Sequence, residues 1–318
     1  MIEKDKDNFQ VITVDAELQQ ESYSRHTNWY QQQFPNYEDK ISVITNFKNY
    51  AGSINHWLQL IFFNTLTPFL TDKNKSWLTL GDAYGHDANF LIQQGIQQTT
   101  ASDLDPNMLQ ISKEYGLIQH YEVVNAEKMS FSNESFDYIL CKESYHHFPR
   151  PYAALYEMIR VCKTGIIIIE PQDPIARMPL LLLISNICNK FNIQLIDKIW
   201  KNRISYESVG NFVYKVSERE FEKFAAGLNL PMIAVKEINP NFWFAGSNQI
   251  PAQMDQPAFK KIYWKKKFRD FLTRLGIFPS QTLVLVAFKQ VPNEETLQIL
   301  KSEGYRISKI KKNPYRNS

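Results

Sequence analysis

The sequence predicts an α/β protein, with an open, mostly parallel sheet of seven strands and helices on both faces. Three observations predict it. Short apolar runs alternate with helix-patterned stretches between 77 and 169. Ile166-Ile167-Ile168-Ile169 is apolar at every position, as a central parallel strand covered on both faces should be. A glycine-containing turn follows the first apolar run, where an open α/β sheet places its ligands. The chain has 318 residues, 44% hydrophobic and 22% charged. That suits one large α/β domain with an insertion or two small domains, and it excludes wholesale disorder and collagen. The three cysteines, Cys141, Cys162 and Cys188, form no C-x-x-C pair, which excludes a disulfide scaffold and argues against structural zinc. They suit a reducing compartment.

The elements follow in order. Residues 8–75 are polar and rich in aromatics, with helix spacing in Ile54, Trp57, Leu58, Ile61 and Phe62; they read as a helical N-terminal cap over 1–75. Pro68 and the turn 72–75 end it. Strand candidates are 77–80, 99–102, 121–124, 136–141 and 166–169, with helices over 88–94, 106–115 and 152–161. Pro106 suits a first helical turn behind Asp105 as cap. After Pro171 the rhythm stops, and 174–216 reads as an insertion with a hydrophobic helix and an aromatic segment. Ser217 and Glu220 have the spacing of a capping box. Strand six is 232–237 and strand seven 282–288, the latter arriving late enough to return antiparallel to the sixth. The expected units are 1–75 (cap), 76–173 (ligand-binding core), 174–280 (insertion with strand six) and 281–318 (last strand and basic tail).

The charged start, 1–7, lacks the apolar run of an export signal, so a cytoplasmic protein is expected. The leucine run in 178–188 is shorter than the roughly 20 residues of a transmembrane helix. It reads as core or a subunit interface, which leaves a homodimer open. Charge is uneven. Residues 1–150 carry 11 Lys+Arg against 19 Asp+Glu, and 255–318 carry 14 against 5.

The first turn reads Leu80-Gly81-Asp82-Ala83-Tyr84-Gly85. It has neither the G-x-G-x-x-G spacing of dinucleotide binding nor a phosphate-cradling G-x-x-x-x-G-K-[ST], and Asp82 would repel a pyrophosphate. Asp103, about 20 residues further at the end of strand two, is placed to accept from ribose hydroxyls. Its alternative use is as a helix cap. Together with Asn125-Ala126-Glu127, Ser135-Phe136-Asp137-Tyr138-Ile139-Leu140, Tyr145-His146-His147-Phe148 and Leu155-Tyr156-Glu157-Met158-Ile159-Arg160-Val161, these segments give the run 77–171 its character.

That run resembles the core of the class I S-adenosylmethionine-dependent methyltransferases, in their small-molecule group. The resemblance implies a Rossmann-like sheet and S-adenosylmethionine as cofactor. It implies that Gly81 and Gly85 line the methionine portion, with Asp82 and Ala83 in the same turn. Asp103 would hold the ribose, Leu104 and Ala126 would pack near the adenine with Asn125 beside it, and Cys141 would face the sulfonium. The sequence departs from the family pattern at Thr79, where an acidic residue is usual, at Ala83 for glycine and at Asn125 for aspartate.

Candidate bases follow strand four: Glu143, Tyr145, His146 and His147, with His146 ranked first because His147 matches the packed position of the family. No metal is expected, since no ligand set with zinc spacing appears along the chain. Glu170 could orient an acceptor or cap the next segment. The basic-aromatic stretch Lys260-Lys261-Ile262-Tyr263-Trp264-Lys265-Lys266-Lys267 reads first as a solvated helix face and second as a nucleic-acid or anionic surface. The expected function is methyl transfer to a hydroxyl or amine of a small molecule, such as a sugar or secondary metabolite. The expected partners are that acceptor and no DNA. The alternatives are an RNA methyltransferase using 260–274, which the absence of an appended RNA-binding motif argues against, and a non-catalytic partner protein of the same fold.

Overall fold

The computed structural model describes residues 16–175, 178–191, 204–207 and 211–315. The charged segment 1–7 and much of the 174–216 insertion fall outside them. The chain opens with helices α1 (Ala16–Gln33), α2 (Tyr37–Asn49) and α3 (Ile54–Phe63) and a 3-10 turn over Asn64–Phe69. Then come β1 (Trp77–Leu80), α4 (His86–Gln93), β2 (Thr99–Asp103), α5 (Asn107–Glu114), β3 (His120–Val123), β4 (Phe136–Lys142), α6 (Pro151–Val161) and β5 (Cys162–Pro171). The second half holds α7 (Pro179–Phe191), α8 (Glu218–Gly227), β6 (Met232–Ile238), α9 (Pro257–Arg274), β7 (Thr282–Phe288), α10 (Glu294–Ser302) and β8 (Arg306–Lys309).

The strands form one sheet in the order β3-β2-β1-β4-β5-β7-β6-β8. The first five are parallel, and β7 runs antiparallel between β5 and β6. Chain order reverses between β1 and β4, which puts the ligand crevice of an open sheet beyond the ends of these strands. The sheet has eight strands rather than the expected seven. The eighth, β8, pairs antiparallel with β6 over Met232↔Lys309 to Val235↔Arg306. Its sequence, Arg-Ile-Ser-Lys, is short and charged, so it reads as tail until β6 supplies a hydrogen-bonding edge.

Side-chain alternation builds a core on each face. Leu78, Leu80, Ile139, Ile166, Ile168, Leu283 and Leu285 meet α6 and α8 on one side. Trp77, Leu140, Ile167, Ile169, Val284 and Val286 meet α3, the 3-10 turn, α4 and α10 on the other. Phe63 of α3 stacks on Phe90 of α4 with ring centroids 4.3 Å apart, which fixes the N-terminal helices against the sheet. Ser217 caps α8 by accepting the Glu220 N–H.

Candidate functional site

The turn after β1 divides its glycines between two jobs. Gly81 has φ +71°, and a Cβ there would lie 2.6 Å from both Cβ and Oγ of Ser144. Only glycine fits this conformation beside the chain leaving β4. Gly85, also at φ +71°, packs instead against Ile118 and Ser112, where a Cβ would meet Ile118 at 3.1 Å. It is a close-packing residue at the start of α4 and does not reach the cleft described below, contrary to the expected contact with the methionine portion.

Asp82 is also used by the fold. Its carboxylate accepts the Asp87 and Ala88 N–H groups at the start of α4 (3.2 and 2.9 Å) and the Thr79 hydroxyl (2.9 Å). The acid missing at position 79 is thus matched by one at 82, and Thr79 donates to it. Asp82 and Asp87 are both buried, and burial pushes their pKa values up. Lys142 answers them from β4, 3.2 Å from Asp87. Burial alone would lower the Lys142 pKa, but Asp87, Glu143 and Asp82 hold it above the ordinary value.

Beyond the ends of β1, β2 and β3 lies a cleft of about 790 Å3, counted to its open mouth. Gly81, Asp103, Leu104, Asn125, Ala126 and Phe148 line it. Among the described residues no lysine or arginine does, whereas Asp103, Asp105, Glu127 and Glu143 all do; Arg150 engages Glu127 at 2.6 Å and Lys142 lies 3.6 Å from Glu143. Pro106 is the N-cap of α5, and Asp105 ahead of it closes an Asx turn by accepting the Asn107 N–H at 2.9 Å, which leaves Asp103 out of the helix start. The Asp103 carboxylate accepts the Asp105 N–H at 3.0 Å, and burial pushes its pKa up to about 6. A half-buried carboxylate with few partners keeps free acceptor sites toward the cleft.

Helix α1 roofs the cleft with Ser22, Tyr23, His26, Thr27 and Tyr30. The Tyr23 hydroxyl donates to Asn125 Oδ1 at 3.2 Å, and Gln19 bonds to Glu127. Glu127 is further held by the Arg150 N–H and Nε at 2.7 and 2.6 Å. Sequence reasoning placed helices here without assigning any of them to the site. Its polar pattern, Gln19-Ser22-Tyr23-His26, gives no local sign of a strap over strands a hundred residues away.

The chain after β4 forms the opposite wall. Glu143 sits at φ +53°, a left-handed backbone for a non-glycine residue, and its N–H is tied to Ile169 O at 2.9 Å. Such conformations cost on the order of 1–3 kcal/mol and gather at functional sites. Glu143 also borders two neighbouring clefts, one along Ala83, Tyr84 and His56, the other along Leu58, Pro240 and Trp243. Ser144 and Tyr145 both donate backbone N–H groups to Glu170 Oε1 (2.8 and 2.7 Å), and His146 Nδ1 lies 2.5 Å from Glu170 Oε2. Burial opposes a charged His146, but Glu170, Glu207 and Glu143 outweigh it and hold the pKa above its ordinary value.

His147, ranked second on sequence, faces the cleft, while His146 faces Glu170. Cys141 does not reach the cleft. It points into the core with its Sγ 3.0 Å from the Ser144 Oγ, because strand alternation turns it away, and burial pushes its thiol well up. The fold also gathers His146, His147 and Glu207, with one ligand-type atom each within 4.8 Å of the others. Spacing along the chain could not show this grouping, since Glu207 arrives from the insertion. His147 Nδ1 and Glu207 Oε2 are 2.6 Å apart, the separation of an imidazole–carboxylate hydrogen bond.

Comparison with known proteins gives a likeness over the first five strands. Residues 78–169 match the family model described as "Methyltransferase domain". Over those residues this chain is similar to methyltransferase domains. A curated demethylmenaquinone methyltransferase of Staphylococcus epidermidis is 28% identical over 141 residues, which cover 42% of this chain and 58% of the relative. The chain therefore spans just over half of the curated relative it matches. Among solved structures, a protein described as a methyltransferase from Bacillus halodurans is 18% identical with a TM-score of 0.43, covering 71% of this chain and 97% of that one. The YcgJ protein of Bacillus subtilis is 17% identical with a TM-score of 0.47, covering 72% and 100%. The methyltransferase match ends at β5, so β6 to β8 and the helices between them lie beyond it.

Proposed function

We propose that the protein transfers a methyl group from S-adenosylmethionine to a hydroxyl or amine of a small molecule. The observation that carries this reading is the cleft at the strand ends, lined among the described residues by four carboxylates and by no lysine or arginine, with Asp103 and Asp105 facing no cation there. A cationic sulfonium is favoured there and a pyrophosphate is not. The residues fit the cofactor by chemistry. Asp103 offers acceptors for ribose hydroxyls, and Leu104, Ala126 and Phe148 offer an apolar slot for a flat ring. Asn125 Oδ1 already accepts from Glu127 N–H and Tyr23, so its amide N–H groups remain for a ring nitrogen. When bound, S-adenosylmethionine supplies an activated methyl group.

This chain's own residues would bind, align and manage one proton. Gly81 lets the ligand approach the backbone. Glu143, at the junction of three clefts, is placed to hold the acceptor and receive its proton. His147, on the same wall, is the second base, its Nδ1 braced by Glu207 so that Nε2 is the accepting atom. His146 and Glu170 hold the turn that carries both. The relative named above acts on a quinone by its name. That favours an aromatic hydroxylated or carbon acceptor for this site over a sugar only if the 930 Å3 cleft beside Ala83, Tyr84 and Phe63 receives the acceptor.

Thermal unfolding with S-adenosylmethionine, S-adenosylhomocysteine and NADH tests the reading. Ligand at 100 times its Kd stabilises by about 2.7 kcal/mol, and about 2–4 °C accompanies each kcal/mol at this size. The expected result is a shift with the first two only, followed by methyl transfer to a hydroxyl or amine in an acceptor screen. A shift with NADH alone, or none at all, overturns it.

A further inference from the structure

Helix α9 packs one face into the protein and leaves an unusual one outside. Phe259 and Ile262 are buried against Ile54 and Leu58. On the opposite face Trp264, Phe268 and Phe271 are 58%, 64% and 54% exposed, and Leu275 follows at the helix end. At about 100° per residue these four fall within an arc of roughly 60°. Lys260, Lys267 and Arg274 flank that arc on one side, and Lys261 and Lys265 flank it on the other. The apolar surface continues into the exit turn, where Ile277 and Phe278 are also exposed. Aromatic groups in a stripe edged by lysines are the pattern of a helix lying in a membrane interface, apolar side down and charges level with the headgroups.

We propose that α9 docks this protein on an anionic lipid bilayer. Charge selects this occupant. The helix carries seven Lys+Arg against one acidic residue, Asp270, which Lys266 engages at 2.6 Å. A second copy seated on the same face by a two-fold axis would bring lysine flank against lysine flank. A negatively charged surface instead receives the aromatic stripe and neutralises both edges.

The placement of α9 relates the docking face to the cleft. Its exit turn leads to Ser280 and Gln281, and these bond to Gln172 at the end of β5 (2.5 and 3.1 Å). That is the same sheet edge at which β1, β2 and β4 end. From there the chain runs on to α7, which has no buried side chain and exposes Leu180, Leu183 and Ile187 at helical spacing. Neither helix is long and apolar enough to cross a membrane. Docking through α9 holds the open edge of the sheet close to the bilayer and does not depend on the methyl-transfer reading.

Co-sedimentation of the full chain with phosphatidylglycerol vesicles, and separately with phosphatidylcholine vesicles, is the test. The expected result is binding at least tenfold stronger to the anionic vesicles and weakened by salt, with a blue shift of tryptophan emission. W264S/F268S/F271S and K260E/K261E/K265E/K267E should each lose at least tenfold in partitioning. Both should keep the melting temperature and the thermal shift with S-adenosylmethionine, since every changed side chain is on the outer face. Three results overturn the proposal. One is no binding to phosphatidylglycerol vesicles at low salt. The second is vesicle binding that the triple aromatic variant leaves unchanged. The third is that the aromatic stripe serves another occupant, seen as a dimer in sedimentation equilibrium, or a tight complex with a random RNA oligonucleotide, that W264S/F268S/F271S abolishes while vesicles remain unbound.

Discussion

Asp103 and Glu170 occupy equivalent stations, acids at the carboxyl ends of parallel strands, the first half-buried and the second fully buried, and they serve opposite ends. Glu170 is fully exposure-free and holds two backbone N–H groups and an imidazole. Among the described residues Asp103 accepts neighbouring backbone N–H groups and faces a cleft whose wall holds no lysine or arginine. A saturated buried carboxylate organises a turn, and an under-partnered one waits for a ligand. Burial raises Asp103 to about 6, and Glu170 in turn helps raise His146.

Breaking the comparison at Glu170 should have the largest effect on the fold. Glu170→Ala leaves the Ser144 and Tyr145 donors and His146 without their acceptor, at a cost of about 3–5 kcal/mol. Denaturant titration should show a fall of that size, and Glu170→Gln, which keeps an oxygen for the two N–H groups, should recover most of it. Equal losses for Ala and Gln would mean that the negative charge, not the acceptor, holds the turn.

Asp103→Ala should do the reverse. Loss of two charge-assisted hydrogen bonds, at about 1.5–3 kcal/mol each, predicts at least a hundredfold weaker S-adenosylmethionine binding by calorimetry. Stability of the ligand-free protein should hold. Asp103→Asn should even rise by about 1–2 kcal/mol at pH 7. The sign follows from proton uptake. A folded pKa of about 6 lies above the ordinary carboxylate value, so the folded state binds the extra proton and wild-type stability falls as pH rises from about 4 to 6. The Asn gain should therefore vanish at pH 4 and be complete above pH 7. A gain that persists at pH 4 would remove burial of the charge as its cause.

Gly81→Ala should cost about 1–2 kcal/mol from the left-handed backbone alone, with more from the Ser144 contact at 2.6 Å. Gly81→Ala with Ser144→Gly should recover only the contact part, which two equilibrium unfolding curves can separate. The smallest effect belongs to the roof. Tyr23→Phe removes two hydrogen bonds, the one Tyr23 donates to Asn125 and the one it accepts from Gln19, at about 0.5–1.5 kcal/mol each, and should speed cofactor release. Stopped-flow displacement of bound S-adenosylhomocysteine would detect it, and an unchanged release rate would make α1 a fixed wall.

Much of the sheet was legible in the residues because its signals are local. The apolar run of Ile166 to Ile169, the returning strand 282–288 and the Ser217 cap each depend on neighbours within a few positions, and all three lie where the pattern places them. The Asx turn that Asp105 forms ahead of α5 is likewise local, its carboxylate accepting the Asn107 N–H two residues on. β8 was not legible, because four residues with two charges have no strand signature until β6 offers an edge.

Within the crevice, chain order could name residues but could not give them directions. Gly85 and Cys141 stand beside the right strands and face the packing, and Asp82 is consumed by α4 and Thr79. Which side of a strand end meets the ligand is set by the twist of the sheet and the helix that leaves it. The roof of α1, the Glu207 bridge to His147 and the Glu170 brace join residues 24 to more than 100 positions apart. The sequence by itself determined the layered α/β plan, because hydrophobic periodicity is read over a few residues. Only the tertiary structure decided which carboxylates are spent on the fold and which face a ligand, because that depends on partners brought together by folding.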